Sequence, residues 1–458
     1  MRRNLLRPPK IEVDLGIEIY ASQSPGFGGK IRCFPEDFIV EEILIDGSEA
    51  SVQTVGIPKI SGWGRYLLCV LIKKNWDTLA AVEKIAEEIG ISPNRISIAG
   101  IKDTRALTAQ HISISGVTPE RMLKVEVRDL SIHPLRFIDE KALPHLSFGN
   151  KFQVLVRSIP YDSVTVERRV KDIMDEIGDF GGLPNYFGHQ RFGTIRPVTH
   201  IVGRHLVKGD FEKAATTFLS QPSPYEYPEP REARKLLWDT SDYKAALSHF
   251  PKHLTYERLM LSYLVRHPQD FPGSFRRLPS KLCKLFVHAY QSFLFNKFLS
   301  QRIERGIPLK EIQAGDYVVE LDENGLPTDR FIQAESSNLS AIKEEINRGR
   351  MHLAIPLIGY KQSISRGIQG EIEKEILEEE GVNPKNFHIE KMSEASASGS
   401  LRVTLTSILN FSKEEVLVDP SDPSKATLGL NFKLHRGAYA TIFLREMMKP
   451  QDLVLSGF

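Results

Sequence analysis

Two short apolar runs that enclose a polar segment constrain the fold more than any other part of this chain. Residues 96–99 (ISIA) and 111–115 (HISIS) have the length and alternation of β-strands, and the segment between them contains the charged string KDTR. The pattern predicts that Asp103 lies on a connection between two strands. Loops held by rigid strands are where catalytic side chains tend to lie.

Further strands and helices are predicted along the chain, without a glycine-rich nucleotide-binding turn. Residues 66–72 form an apolar run typical of a buried strand, and Asp77 is placed to cap the helix that follows and that Gly90 ends. The apolar stripe of this helix is Leu79, Val82, Ile85, Ala86 and Ile89. Further strands are predicted at 152–156, 401–405 and 428–434, and further helices at 166–177, ended by Gly178, and from about Ala438. The predicted class is α+β with a largely antiparallel sheet.

Asp103 is the first candidate for chemistry because two cations flank it. Lys102 and Arg105 would favour the charged form of its carboxyl group, and a carboxylate acts as a nucleophile or a base. An ordinary turn with solvated charges is the alternative, since Asp and Thr commonly bond to their own backbone.

A second string, NYFGHQRFG at 185–193, combines rings, amides, a guanidinium and glycines within nine residues. Ring faces and amides suit a flat polar ligand such as a nucleobase. Taken alone, an aromatic residue such as Phe187 is more often part of a core.

Several segments, taken in order, resemble the TruD family of tRNA pseudouridine synthases. They are GGK at 28–30, PEDFIVEE at 35–42, AGIKDTRALTAQ at 99–110, NYFGHQRFG at 185–193 and LHRGAYATIFLRE at 434–446, with a further similar segment at 278–296. The resemblance extends over essentially the whole chain.

The resemblance implies an α+β fold: a pseudouridine-synthase catalytic domain with a mixed, largely antiparallel sheet, interrupted by an inserted α/β TRUD domain. The expected boundaries are 1–209 for the N-terminal part of the catalytic domain, 210–404 for the inserted domain and 405–458 for the C-terminal part. At 458 residues, the chain exceeds what one hydrophobic core usually serves. A proline-rich passage at 221–230 and a run of small residues at 395–400 mark changes in composition.

The resemblance further implies isomerisation of a uridine in tRNA, at position 13, to pseudouridine. It assigns the nucleophile to Asp103 and requires no cofactor and no metal. It places substrate contacts at Phe38, Asn185, Phe187 and Tyr439, and a basic residue of the family at Lys30. A non-catalytic tRNA-binding or RNA-chaperone protein on the same fold is the first alternative. The second is an N-glycoside hydrolase that uses Asp103 with a second acid, for which Glu36, Asp37 and Glu41 are candidates.

Local charge supports an RNA partner, although the net charge is only +2. Residues 183–209 and 271–301 contain no acidic residue and interleave cations with rings, as RNA-binding surfaces do. The candidates for contact with the RNA backbone are Lys102, Arg105, Arg191, Arg196 and Arg204. A solvated basic helix face is the alternative for these stretches, and the acidic run at 371–380 is interpreted as a solvated helix face.

Three scattered cysteines fit neither a zinc site nor a disulfide framework and indicate a reducing compartment. The sequence shows neither the apolar core of a signal peptide nor the run of roughly 18 apolar residues that a membrane span needs. We therefore expect a cytoplasmic monomer, with no membrane association and no obligatory protein partner.

Overall fold

The structure is a computed structural model, and it describes residues 6–53, 60, 62–142 and 144–458. The expectation that the N-terminal segment is not a signal peptide concerns, in part, residues 1–5, which lie outside that range. The strands in this part of the chain are β1 Phe38–Leu44, β2 Tyr66–Lys74, β3 Ile96–Ile98, β4 Leu107–Ser115, β5 Leu130–Ile138, β6 Ser147–Ile159, β7 Leu183–Pro184, β8 Tyr317–Leu321, β9 Pro327–Gln333, β10 Met351–Leu357, β11 Ser400–Val403, β12 Leu405–Thr406, β13 Leu409–Lys413, β14 Leu417–Asp419 and β15 Asp422–His435. The α-helices are α1 Lys10–Val13, α2 Thr78–Glu88, α3 Pro119–Met122, α4 Ser163–Phe180, α5 Thr199–Val207, α6 Phe211–Ser220, α7 Pro228–Thr240, α8 Tyr243–His249, α9 Thr255–Leu264, α10 Phe271–Phe275, α11 Ser280–Glu304, α12 Leu339–Asn347, α13 Gly367–Glu379 and α14 Ala440–Met448.

The chain divides into two compact units. We call the first the sheet unit, which comprises Ser24–Asp175, Thr406–Pro450 and Leu455–Phe458, and the second the helical unit, which comprises Met1–Gln23, Glu176–Leu405 and Gln451–Val454. The insertion expected at 210–404 lies within the longest segment of the helical unit, which begins earlier, at Glu176. The assignment of segments to a catalytic and an inserted domain stays a prediction.

The sheet unit is built on a nine-stranded mixed sheet of order β13-β15-β6-β1-β4-β2-β5, with β14 paired to β15 and β3 to β4. Only β1 and β4 pair in parallel among these described strands. The predicted α+β class with a largely antiparallel sheet is therefore confirmed.

Helix α2 covers part of this sheet. Asp77 caps it by accepting hydrogen bonds from the backbone N–H groups of Leu79 and Ala80, as predicted. Val82 and Ile85 pack in a core with apolar residues of β2, β4 and β5, and burying each such side chain contributes about 1.5–3 kcal/mol. Leu79, which was expected in the apolar stripe, is exposed because it lies on the solvent side of the first turn.

The segment with Asp103 connects β3 to β4, as predicted. The two strands pair antiparallel, with Ile98 opposite Ile112, so that residues 99–106 form the turn between them. Since β4 lies between β1 and β2, the turn is anchored to the interior of the sheet.

The helical unit is organised around α11, a 25-residue helix whose middle part is buried on nearly all sides. Helices α5 and α13 pack along α11, and a four-stranded sheet of order β11-β10-β8-β9 also belongs to this unit. Polar residues within the buried part of α11, such as Asn296 and Ser300, form hydrogen bonds with neighbouring backbone. The long helix thereby serves as the scaffold on which loops of the unit are held.

Two further local predictions were wrong. Helix α4 continues past Gly178 to Phe180 and ends before Gly181 and Gly182, whose φ angles of 112° and 127° favour glycine. The acidic run does form a helix, α13, but Glu373 is buried and accepts hydrogen bonds from Ser365 and Gln369.

None of the helices in the described residues is both long enough and apolar enough to cross a lipid bilayer.

Candidate active site

In the sheet unit, Asp103 is paired with a buried arginine. Its Oδ1 accepts a hydrogen bond from Nη2 of Arg32 at 2.8 Å. The Arg32 side chain is 6% exposed and that of Asp103 30% exposed, so the cation is enclosed while the carboxylate reaches the surface. In the described part of the chain, Oδ2 of Asp103 has no hydrogen-bond partner. One carboxylate oxygen is thus held and the other is accessible to a ligand.

Three features hold Arg32 in position: its backbone conformation, a hydrogen bond and a contact with an aromatic ring. Its backbone adopts the left-handed conformation, with φ of 55°, which is uncommon for a residue with a side chain. Nη1 donates to the main-chain oxygen of Gly457 at 3.1 Å, and the guanidinium lies 3.9 Å from the centroid of the Phe38 ring. Burial lowers the pKa of Arg32, and the charge of Asp103 opposes that effect. The pair is therefore organised before any substrate arrives.

The cations predicted from the sequence to accompany Asp103 lie elsewhere. Lys30 is exposed and meets Arg157 only through a main-chain bridge. Arg105 is exposed, and Lys102 directs its amine away from Asp103, toward Glu42 and Asn150. The cation paired with Asp103 is Arg32, which the sequence analysis did not single out.

Lys102 belongs to a buried polar cluster at the base of the loop. Its Nζ lies 2.7 Å from Oε1 of Glu42 and 2.7 Å from Oδ1 of Asn150. Burial alone would raise the pKa of Glu42, but hydrogen bonds from His111 and the charge of Lys102 lower it below its usual value. Lys102 is thus an internal cation that anchors the loop, and this placement argues against the predicted contact with the RNA backbone.

Main-chain groups of the same loop are held by buried side chains. The hydroxyl of Thr78 accepts from the N–H of Lys102 and donates to its carbonyl oxygen. The Gln110 amide donates to the carbonyl oxygen of Gly100 at 3.0 Å. The loop is thereby fastened on both sides of residue 101.

The acids considered as a second hydrolase carboxylate are each engaged with cations. Asp37 is buried and forms a two-oxygen pair with Arg157, Glu36 pairs with Lys74, and Glu41 pairs with Lys151. Each of these candidate acids is thus paired with a cation of its own, which is not the Arg32 that pairs with Asp103.

The two predicted substrate-contacting rings of the sheet unit differ in exposure. Phe38 is 1% exposed and lies edge-on to Phe152, and the Arg32 guanidinium covers a face of its ring. Tyr439 is half-buried and immediately precedes α14. Phe38 therefore supports the Arg32–Asp103 pair in this structure, whereas Tyr439 retains surface for a ligand.

In the helical unit, Arg402 holds Asn185. Nη2 of Arg402 donates to Oδ1 of Asn185 at 2.6 Å, and Nε donates to its main-chain oxygen at 3.0 Å. The Asn185 amide nitrogen donates to the carbonyl oxygen of Val403. Arg402 also lies over the Phe187 ring, 4.0 Å from its centroid. These contacts bring two predicted site residues together through an arginine that the sequence analysis did not identify.

Phe187 is buried by α11 as well. Its ring meets Phe295 edge to face with centroids 5.6 Å apart, and its N–H donates to Oδ1 of Asn296. Arg191 follows on the same loop and donates from Nε to the hydroxyl of Ser292, one turn along α11. The loop is thus fixed to one face of that helix.

Two of the predicted RNA-binding arginines are neutralised within the helical unit. Arg196 is largely buried beside Glu226 and Glu257 and donates to carbonyl oxygens at the end of α6. Arg204 pairs with Glu380 at 3.1 Å. Both arginines lie in the acid-free stretch 183–209, but carboxylates from distant parts of the chain neutralise them. The positive charge at the surface is therefore smaller than the local sequence indicates.

A different basic surface is present on the exposed side of α11. It consists of Lys281, Lys284 and His288, together with Arg191 from the neighbouring loop. Burial lowers the pKa of His288, and the charges of Arg191 and Lys284 lower it further. We call these four residues the α11 basic surface.

Comparison with solved structures identifies the class of protein. The chain is similar to the putative tRNA pseudouridine synthase D (TruD) from Methanosarcina mazei, whose crystal structure it matches with a TM-score of 0.79 and 38% identity, over 97% of this chain and 99% of that one. At that identity and coverage, the shared fold is that of a pseudouridine synthase.

Sequence comparison identifies the family. The family model for tRNA pseudouridine synthase D (TruD) matches residues 14–447. Relatives described as probable tRNA pseudouridine synthase D include those of Methanosarcina mazei, 39% identical over 98% of this chain and 99% of theirs, and Thermococcus onnurineus, 37% identical over 94% and 97%. The chain belongs to the TruD family and is an enzyme of the isomerase class.

Proposed function

We propose that this enzyme converts a uridine of tRNA, at position 13, to pseudouridine, with Asp103 as the nucleophile and without a cofactor. The observation that carries the proposal is the Arg32–Asp103 pair, in which one carboxylate oxygen is held by a buried cation and the other is accessible. Membership of the TruD family supplies the substrate class.

The reaction is an isomerisation and needs no redox partner. The N1–C1′ bond breaks, the uracil turns while it stays bound, C5 joins C1′, the hydrogen at C5 leaves as a proton, and the freed N1 takes up a proton. A carboxylate can assist by attacking the sugar or the base, or by removing a proton from the sugar. Each of these three routes needs a carboxylate that is held in a fixed position with one oxygen accessible. Asp103 has this arrangement.

Arg32 contributes electrostatic stabilisation. Its charge lies within 2.8 Å of the carboxylate and is shielded from water, where a fixed cation acts more strongly than in bulk solvent. It stabilises the carboxylate whenever that group leaves the substrate, and its position does not depend on the substrate.

The target uridine has to leave its stack in the RNA, at a cost of a few kcal/mol. Ring stacking on an aromatic side chain is worth roughly 1–3 kcal/mol per base and offsets part of that cost. Tyr439 is the half-exposed ring for this role in the sheet unit. Asn185, in the helical unit, stays a proposed substrate contact on the resemblance to the family, with its amide oriented by Arg402.

The α11 basic surface is proposed as a contact for tRNA phosphates. Lys281 and Lys284 are exposed and have no carboxylate partner within 4.0 Å in the described residues. Exposed lysines along one helix face, next to an arginine on a loop, are typical of proteins that track a phosphate backbone.

Release of tritium from tRNA labelled at uridine C5 tests the proposal. Wild type should release tritium to water, and Asp103→Asn should release none while its tRNA affinity stays within a few-fold. Asp139→Asn, an exposed aspartate in the same unit, is the matched control and should behave as wild type.

Each alternative function predicts a different outcome of this experiment. Retained release by Asp103→Asn would contradict the nucleophile assignment. Binding of tRNA by wild type without release would leave an RNA-binding protein, and free uracil with an abasic site would indicate a hydrolase.

A further inference from the structure

Lys73 is a buried lysine whose amine reaches the backbone of the Asp103 loop. It lies near the end of β2, and its side chain is fully enclosed. Nζ donates to the carbonyl oxygen of Asp103 at 2.6 Å and to that of Trp76 at 2.8 Å, and a longer contact of 3.5 Å joins it to the carbonyl oxygen of Lys102.

Burial of the Lys73 ammonium costs free energy. An ammonium group loses its hydration on burial, and proteins usually repay that cost with a carboxylate partner. Among the described residues, no carboxylate lies within 4.0 Å of the Lys73 amine. The acceptors of its hydrogen bonds are main-chain oxygens. An ammonium has three N–H donors, and three carbonyl oxygens surround this one, so the charged form matches its surroundings better than the neutral amine.

We propose that Lys73 is a positioning residue for the reaction: its ammonium fixes the main chain of Asp103 and adds a second positive charge beside the one that Arg32 supplies. The inference rests on the proposed function of Asp103. Arg32 holds the carboxylate group and Lys73 holds the carbonyl of the same residue, so the two cations fix Asp103 from its two ends.

The groups around Lys73 predict how its charge depends on pH. Burial lowers the pKa of Lys73 to about 8, with Lys102 contributing in the same direction and Asp103 and Asp77 opposing. The neighbouring positions are Thr108 on β4 and Leu130 on β5, which are uncharged, and Thr78 at the start of α2. Above pH 8, Lys73 loses a proton and with it one donor, so the loop that carries Asp103 becomes less firmly held.

The next residue in the chain provides a matched control. Lys74 follows Lys73 on β2 but lies at the surface, where it pairs with Glu36. A change of lysine to methionine at either position removes the same charge and keeps a similar unbranched chain, while only the change at 73 removes the contacts with the loop.

The experiment compares wild type, Lys73→Met, Lys74→Met and Lys73→Arg by tritium release from C5-labelled tRNA at pH values on both sides of 8, with kcat and KM determined separately. Lys73→Met should lower kcat between about 10- and 100-fold with KM within a few-fold, because displacement of a catalytic group by about 1 Å has effects of that size. Lys74→Met should match wild type. The kcat of wild type and Lys74→Met should fall with an apparent pKa near 8, and Lys73→Met should lack this fall.

The outcomes separate the two proposals. If wild type releases no tritium, the proposed function fails and the role of Lys73 with it. If wild type releases tritium but Lys73→Met and Lys74→Met have equal kcat, or wild type shows no fall in kcat above pH 8, only the role of Lys73 is overturned. Should Lys73→Met fail to fold, Lys73→Arg decides, because an arginine keeps its charge above pH 8 and should abolish the alkaline fall.

Discussion

Arg402 holds Asn185 at both its side chain and its main chain, with Nη2 donating to Oδ1 at 2.6 Å and Nε donating to the carbonyl oxygen at 3.0 Å. The same guanidinium lies over the ring of Phe187. A planar group with donors on two edges is suited to this task, and a lysine ammonium is not.

Arg402→Lys should therefore lower kcat/KM by between about 10- and 100-fold while the protein stays folded, because Asn185 keeps its identity but loses its orientation. Tritium release under single-turnover conditions measures the effect. Asn185→Ala is the reference, and the double variant should be no worse than Asn185→Ala alone, since Arg402 acts through Asn185. A double variant that loses further activity would show that Arg402 has an independent role.

Arg32→Met should reduce kcat by about 100-fold or more, because it removes the buried cation from the carboxylate of Asp103. Lys30→Met is the matched control and should retain wild-type activity, since Lys30 is exposed. The rates of the two variants are compared with the thermal unfolding midpoint of each. Equal activity of Arg32→Met and wild type would refute the electrostatic role of the pair.

The combined variant Lys281→Gln, Lys284→Gln should bind tRNA more weakly and with a smaller dependence on salt. Each phosphate contact contributes about 0.7 to 0.9 to the slope of log K against log salt concentration, so the slope should fall by about 1.5. Lys374→Gln, on the exposed side of α13, serves as the control and should leave the slope unchanged. Binding measured over a series of salt concentrations gives the slopes, and an unchanged slope in the double variant would exclude the α11 basic surface as a tRNA contact.

Glu373 should make the protein less stable as the pH rises from about 5 to about 8. Burial raises the pKa of Glu373 to about 7, so the folded state binds a proton that the unfolded state has already released, and stability falls with rising pH through this window. The shift from 4.5 corresponds to on the order of 3 kcal/mol. Urea unfolding at both ends of the range should show this loss in wild type and in the exposed control Glu371→Gln, but not in Glu373→Gln. The same slope in all three proteins would show that Glu373 does not titrate in this window.

Most elements of the sheet unit could be predicted because their signals are local. The strand at β2, the cap at Asp77 and the hairpin that carries Asp103 each follow from periodicity or from the chemistry of one residue. The end of α4 was missed by two residues because Gly178 has helical neighbours and the left-handed glycines come later.

The partners within the site could not be predicted, because they depend on distances across the chain. Arg32 is 71 positions from Asp103, and Arg402 is 217 positions from Asn185. Lys30 was selected because it follows two glycines. Arg32 lies nearer in sequence to the PEDFIVEE segment and was not selected. Arg196 was proposed to bind RNA because its surroundings in sequence lack acids, but Glu226 and Glu257 reach it from elsewhere.

Position-resolved mapping of pseudouridine in tRNA decides whether Asp103 is the nucleophile that modifies the uridine at position 13. Unmodified tRNA is incubated with wild type, Asp103→Asn or the control Asp139→Asn, and each uridine is then examined by carbodiimide treatment and primer extension. We expect one new pseudouridine, at position 13, with wild type and with Asp139→Asn, and none with Asp103→Asn. Pseudouridine formed by Asp103→Asn at the same position and rate would contradict this expectation.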